Sequence, residues 1–163
     1  MKKYLVSTLF LGFFFTNGFS QAAKSVYAEL GGPGLVSANF DMRFNNKEDG
    51  LGFRVGIGGF SLNTSYSGGG TRIFTLPLGL TYLLGKDQKN YFEIGAGITP
   101  VFSSHDYGYS STDEFTSTFG HLYFGYRLQP LKGGFLFRAG ITPVFANGYF
   151  IPYYAGISFG YKF

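Results

Sequence analysis

The sequence predicts an all-β chain, an eight-stranded antiparallel up-and-down barrel, from three observations. Apolar residues recur in steps of two along most of the chain, which is the period of a strand. The composition is rich in Gly (26), Phe (21) and Tyr (13), with only 13% charged residues. Gly at that frequency is costly in helix interiors, and a chain so apolar and charge-poor is not disordered. The breaks between strands alternate between short polar turns and connections of variable length, the pattern of a meander. At 163 residues, one domain is expected.

Residues 1–22 read as a secretory signal. Lys2 and Lys3 precede an apolar run from Tyr4 to Phe15, and the small residues Gly18, Ser20 and Ala22 follow. The run is too short to span a bilayer as a helix. Cleavage is expected near 20–23, leaving a single barrel domain over 23–163. Without Lys2 and Lys3, eleven basic residues face nine acidic ones. That balance gives no reason to invoke nucleic acid. The absence of Cys removes disulfides and thiolate metal sites.

The strands follow in order. A short one is expected at 25–32, with Ala28 and Leu30 opposite Tyr27 and Glu29. Residues 35–44 put Val36, Ala38, Phe40, Met42 and Phe44 opposite Ser37, Asn39, Asp41 and Arg43. Residues 51–60 put Leu51, Phe53, Val55 and Ile57 opposite Gly52, Arg54, Gly56 and Gly58. The stretch 72–83 is less regular, because Ile73, Pro77 and Leu83 interrupt its polar face. Residues 91–102, 118–128, 135–145 and 153–163 restore the alternation. Polar turns are expected at 45–50, 85–90 and 129–134. Variable connections are expected at 32–34, 61–71, 103–117 and 146–151. Ala96 to Phe102 recurs letter for letter as Ala139 to Phe145, so two consecutive hairpins look duplicated.

Two features favour a membrane barrel over a soluble sandwich or lipocalin-like barrel. The apolar face is continuous and heavy in Phe, while the opposite face carries Gly, Ser, Thr and a few charges. That second face suits a crowded lumen better than a solvated surface. Aromatics also gather at the strand ends. Phe44, Tyr82, Tyr91, Phe92, Tyr126, Phe135, Tyr161 and Phe163 mark one side; Phe60, Phe74, Phe102, Phe119, Phe145 and Tyr153 mark the other. Two aromatic girdles around an apolar band are the pattern of an outer-membrane barrel. Closure would satisfy every backbone group, as lipid requires.

The chain ends Tyr161-Lys162-Phe163 after an alternating strand and begins its barrel with Glu29-Leu30-Gly31-Gly32 and Leu35-Val36-Ser37-Ala38-Asn39-Phe40. On these residues it resembles the small outer-membrane β-barrel proteins of Bacteroidota-type bacteria, with OmpX-like or OmpA-barrel-like architecture. The lack of Trp departs from the usual girdle. The resemblance implies that Phe163 serves as the signal read by the barrel assembly machinery. It also implies an integral outer-membrane location with both termini periplasmic. About activity it implies little, since the family is mostly functionally unassigned.

Parity places Glu29, Asp41, Arg43, Arg54, Glu93, Arg127, Arg138 and Lys162 on the inner face. Asp41 and Arg54 are equidistant from the 45–50 turn and are expected to face each other. Arg127 and Arg138 flank the 129–134 turn and are expected to face each other, and two cations that close call for a shared acid, with Glu93 placed to serve. Such charges could form an ion filter or a salt-bridge plug in a lumen too narrow to conduct; the plug is favoured.

Catalytic residues, cofactors and metal ligands are not expected. His121 falls inward but has no Ser two residues on. His105-Asp106 lies in the longest connection beside Ser103, Ser104, Asp113 and Glu114, which reads as a solvated polar loop. Gly56-Ile57-Gly58-Gly59 lacks the helix that a dinucleotide fingerprint needs. In Asn45 to Gly50, Lys47 occupies what would be a calcium-ligand position. The function expected is non-enzymatic: envelope structure, or surface interaction through the connections at 61–71 and 103–117, as a monomer whose partners are outer-membrane lipid and an unidentified extracellular ligand. A small pore or transport accessory is the alternative, and a lipid-modifying enzyme a more remote one.

Overall fold

The structure is a computed structural model that describes residues 22–64, 69–106 and 112–163. The signal segment expected at 1–22 therefore lies outside the described residues except for Ala22. Eight antiparallel barrel strands account for most of the described residues. They are β1 (Lys24–Gly31), β2 (Val36–Arg43), β3 (Gly50–Thr64), β4 (Gly69–Thr75 continued by Leu78–Leu84), β5 (Asn90–Asp106), β6 (Thr112–Leu128), β7 (Gly134–Ile141 continued by Val144–Ala146) and β8 (Tyr149–Ile151 continued by Ala155–Lys162). Each strand pairs with its sequence neighbour, and β1 pairs with both β2 and β8. Glu29 thus stands between Ser37 and Ser158, and the sheet closes on itself.

Three strands are interrupted, each at a proline: Pro77, Pro143 and Pro152. A proline cannot donate to the ladder, so sheets tolerate it at bulges and edges. The ladder is carried across two of these breaks by carbonyls. Gly56 N–H donates to Pro77 O at 2.9 Å, and Leu122 N–H donates to Pro143 O at 3.0 Å.

The wall is inside-out relative to a soluble protein. Leu30, Val36, Ile57, Leu80, Phe92, Ile98 and Phe135 lie exposed on the outer face, while Arg43, Arg138, Glu93 and Asp41 are fully buried. Charged side chains are almost never fully buried unless paired. A soluble sandwich or lipocalin-like barrel would carry the opposite distribution.

The turns at the end bearing both termini are short, as the sequence predicts. At the opposite end the sequence-based expectation is too loose. The ladder between β5 and β6 runs without a break from Asn90↔Leu128 to Asp106↔Thr112. Most of the connection expected at 103–117 is therefore strand, and only 107–111 lie outside the described residues. Likewise Gly59–Thr64 pair with Gly69–Phe74 across the expected 61–71 loop. In place of the loop at 146–151, Val144–Ala146 pair with Tyr149–Ile151 around Asn147-Gly148. Thr-rich alternation and an Asn-Gly dipeptide, the strongest short hairpin signal, carry the physical reason.

Three girdle residues are also corrected. Tyr91 is only 2% exposed and points into the barrel. Phe119 pairs with the fully buried Thr99 and meets the His121 ring edge-on at 6.4 Å, so it too lies on the inner face. Phe60 pairs with Ile73, two residues before the buried Thr75, and so has inner parity, while remaining 37% exposed beyond the packed part of the lumen. Strand ends collect aromatics on both faces, and parity separates the two sets.

Candidate functional site

The most elaborate constellation among the described residues is the inner charge network, and the backbone dictates its members. With a side-chain period of two, every second residue of each strand enters the lumen. In a barrel of eight strands the interior is just wide enough for side chains to fill. Long side chains from opposite walls can therefore meet.

They meet as a chain of alternating charge. Arg54 Nη2 donates to Glu29 Oε1 at 2.5 Å, and the other Glu29 oxygen accepts from Arg138 Nη1 at 3.2 Å. Arg138 grips Glu93 with two bonds, Nε to Oε2 at 2.9 Å and Nη2 to Oε1 at 2.6 Å. Glu93 Oε2 lies 3.6 Å from Arg127 Nη1. Arg127 Nη2 in turn donates to Asp41 Oδ1 at 2.9 Å, and Arg43 Nη2 reaches both Asp41 oxygens at 2.7 Å. The order is Arg54, Glu29, Arg138, Glu93, Arg127, Asp41, Arg43, with arginine at both ends.

Neutral groups saturate much of the remainder. Asn39 Oδ1 accepts from Arg54 Nε and Nη2 at 3.0 and 2.8 Å. Thr81 Oγ1 accepts from Arg43 Nη2 at 2.6 Å and donates to Asp41 Oδ2 at 3.1 Å. Ser25 Oγ accepts from Arg127 Nη2 at 2.9 Å. The Arg138 guanidinium lies between two rings, with its carbon 4.5 Å from the Tyr27 centroid and 4.6 Å from that of Tyr123. Such cation–π contacts strengthen when desolvated.

Seven of the eight inner charges proposed from sequence belong to this chain. Lys162 stands apart, at the end bearing the termini. Its Nζ donates to Glu48 Oε1 at 2.5 Å and to Leu131 O at 2.6 Å, while Gln129 Nε2 donates to Glu48 Oε2 at 3.0 Å. These bonds tie the 44–49 turn to the 129–133 turn. Glu93 does lie between Arg127 and Arg138, which are register partners.

Asp41 and Arg54 face each other as register partners on β2 and β3, as expected, but their side chains form no ion pair with each other. Asp41 goes to Arg43 and Arg127; Arg54 goes to Glu29 and Asn39. In a narrow closed barrel the nearest charge lies across the lumen as often as along the wall. Tyr27, Tyr123, Asn39, Thr81 and Ser25 share the inner parity, but the sequence reading did not single them out as partners of the charges.

Above the network a backbone turn enters the lumen. The connection between β1 and β2 is a single 3-10 turn, Gly32–Gly34, whose three residues are buried. Thr75 Oγ1 donates to Gly34 O at 3.0 Å and holds the turn against the opposite wall. His121 lies inward near Thr99, with Nδ1 and Oγ1 3.4 Å apart. No carboxylate bonds to it among the described residues. The side chains of His105, Asp106 and Asp113 lie outside the described residues. Among those described, no group of three His, Asp or Glu side chains could hold a metal ion.

Comparison with solved structures finds the same architecture in small outer-membrane barrels. The N-terminal β-barrel domain of Pseudomonas aeruginosa OprF aligns over 90% of this chain and all of its own, with a TM-score of 0.61 and 11% identity. Ail, the attachment invasion locus protein of Yersinia pestis, solved with the heparin analogue sucrose octasulfate, aligns over 88% of this chain and 99% of its own. Its TM-score is 0.54 and its identity 13%. Neisserial surface protein A aligns over 87% and 92%, with a TM-score of 0.50 and 15% identity. No family model and no curated protein matches the sequence. At these identities the likeness is one of fold: a closed eight-stranded barrel of the outer-membrane kind.

Proposed function

We propose that this chain is a non-enzymatic, monomeric integral barrel of a bacterial outer membrane, of Bacteroidota type. Its lumen is sealed, and its role is exercised through the end opposite the termini. One observation carries the reading: the exposed wall is apolar while the buried interior holds seven charges in one bonded chain. Lipid is the solvent in which that inversion is stable. The signal segment at 1–22 and the terminal Phe163, half-exposed at the end of β8, support export and recognition by the assembly machinery. Both termini are then periplasmic, and the long hairpins are extracellular.

Sealing favours the plug over the pore. The charges are paired across the lumen, and the Gly32–Gly34 turn occupies the mouth above them. In planar bilayers the protein is expected to give no single-channel steps. Steady conductance would show that the network is a filter and would revive the transport reading.

The hairpins at the end opposite the termini carry exposed apolar groups: Leu62, Phe115, Tyr149, Phe150 and Ile151. Large apolar groups exposed there support an interaction role. The partner differs in chemistry from the sulfated sugar analogue held by Ail. Between residues 59 and 75 and between 99 and 118, this sequence has one arginine, Arg72, against Asp106, Asp113 and Glu114. Retention on a heparin column at physiological salt is not expected.

Orientation is tested with protease on whole cells. Cutting is expected within 103–117 before 85–90. The latter turn is also tightly held: the Asp87 carboxylate accepts from Asn90 Nδ2 at 2.5 Å, Asn90 N at 2.7 Å and Lys89 N at 3.1 Å. These bonds keep its pKa below the usual carboxylate range. The stabilisation is therefore present at neutral pH and is lost as pH falls through the folded value. Preferential cutting at 85–90 would invert the proposed topology.

A further inference from the structure

The buried charge chain does not balance. Four guanidinium groups face three carboxylates, since Lys162 is already matched by Glu48. An uncompensated charge in a space closed to water is strongly disfavoured. The surplus is also localised. Arg43 and Arg127 both bond the single carboxylate of Asp41, which brings their guanidinium groups side by side. Arg43 Nη1 is taken up by Gly50 O and Thr81 O, but Arg43 Nε and Arg127 Nε are buried without a hydrogen-bond partner, and Arg127 Nη1 has only Glu93 Oε2 at 3.6 Å, beyond hydrogen-bond reach. At the other end of the chain, Arg54 uses Nε and Nη2 on Asn39 and Glu29 and leaves no such orphan. Charge and missing acceptors point to the same place.

We propose that the lumen binds one small monovalent anion of the halide class beside Arg43 and Arg127. The ion supplies the fourth negative charge and accepts from the orphaned donors. Ser25, whose Oγ accepts from Arg127 Nη2, keeps a hydroxyl proton to offer it. A compact ion is required, because the site lies within packed side chains; gluconate is too large. The anion is thus a structural ligand of the plug rather than a transported one. This rests on the sealed-lumen reading, which bilayer conductance tests separately.

The test uses the full barrel folded in detergent. Urea midpoints are measured in chloride, bromide and gluconate at constant ionic strength. Chloride and bromide are expected to raise the midpoint saturably over gluconate, by roughly 0.5 M urea at ten times the dissociation constant. Equal midpoints in all three salts would overturn the proposal. Ser25→Asp places a carboxylate beside Arg127 and is expected to abolish the halide dependence. A dependence unchanged in that variant would mean that the ions act elsewhere. Should Ser25→Asp fail to fold, bromide located by anomalous scattering in wild-type crystals decides. A peak beside Arg43 and Arg127 supports the site. Peaks confined to the surface mean an adventitious ion only and overturn it.

Discussion

Replacing Glu93 with Gln is expected to destabilise the barrel by roughly 3–5 kcal/mol, the range for breaking a buried ion pair from one side. The Glu93 side chain is inaccessible to solvent and accepts two bonds from Arg138. Its second oxygen also faces Arg127. The amide keeps the shape and can still accept one bond, but it carries no charge. Arg127 and Arg138, register partners on β6 and β7, would then repel with no carboxylate between them. Arg72→Gln is the control. Arg72 is exposed on the outer face, pairs in register with Ser61 and Ser104, and can reach headgroups from the rim. Its loss is expected to change stability by less than about 0.5 kcal/mol. Urea unfolding in lipid vesicles compares the two. If Glu93→Gln matches Arg72→Gln, the network does not hold the barrel together.

The linear order of the network makes its parts unequal. Glu29, Glu93 and Asp41 each bridge two arginines, so each carboxylate removed leaves two cations exposed to each other. Removing a terminal arginine costs less. Arg54 is half served by Asn39, a neutral partner, and its loss leaves Glu29 still paired with Arg138. A barrel closed by such a chain owes its interior order to a few acids, each contributed by a different strand.

How far this was legible in the sequence follows from what parity can and cannot report. The period of two places Glu29, Asp41, Arg43, Arg54, Glu93, Arg127 and Arg138 on one face, and all seven are buried. The Arg127–Arg138 pairing lies within one hairpin, the one turning at 129–134, where register is set locally. Contacts across the lumen are a different matter. They depend on the stagger around the whole barrel, which no single hairpin reveals. Asp41 therefore reaches Arg127, 86 residues away, rather than its register partner Arg54. At the far end the misreading was local. Ser, Thr and Tyr suggested loop, while Thr112 to Thr118 has the alternation and β-branching of a strand, and Asn147-Gly148 is a hairpin turn.

Gly140→Val is expected to be the most damaging substitution of a residue that carries no functional group. Gly140 and Gly125 are register partners on β7 and β6, and the phenol end of Tyr123 lies against both. A Cβ at Gly140 would stand 2.9 Å from Tyr123 Cζ and 2.7 Å from the Gly125 Cα. A Cβ at Gly125 would stand 2.7 Å from the Tyr123 hydroxyl oxygen. The backbone cannot retreat, since both strands are bonded on both sides in a closed sheet. The ring is also held by Arg138, whose guanidinium carbon lies over it at 4.6 Å. Overpacking alone costs roughly 1–3 kcal/mol, and displacing Tyr123 would also cost part of the Arg138 stack, about 0.5–2 kcal/mol. Together the loss is roughly 1.5–5 kcal/mol, a large share of a typical stability of about 5–15 kcal/mol. Gly95→Ala provides the comparison. Its Cβ would meet Leu80 O at 3.2 Å and Tyr123 Cβ at 3.3 Å, which a few tenths of an ångström of movement relieves. Refolding into detergent, read as a heat-dependent gel shift, is expected to fail for Gly140→Val and persist for Gly95→Ala. A normal shift for Gly140→Val would mean that the Tyr123–Arg138 stack is loose enough to move aside, and that the inner glycines are not there to seat the ring.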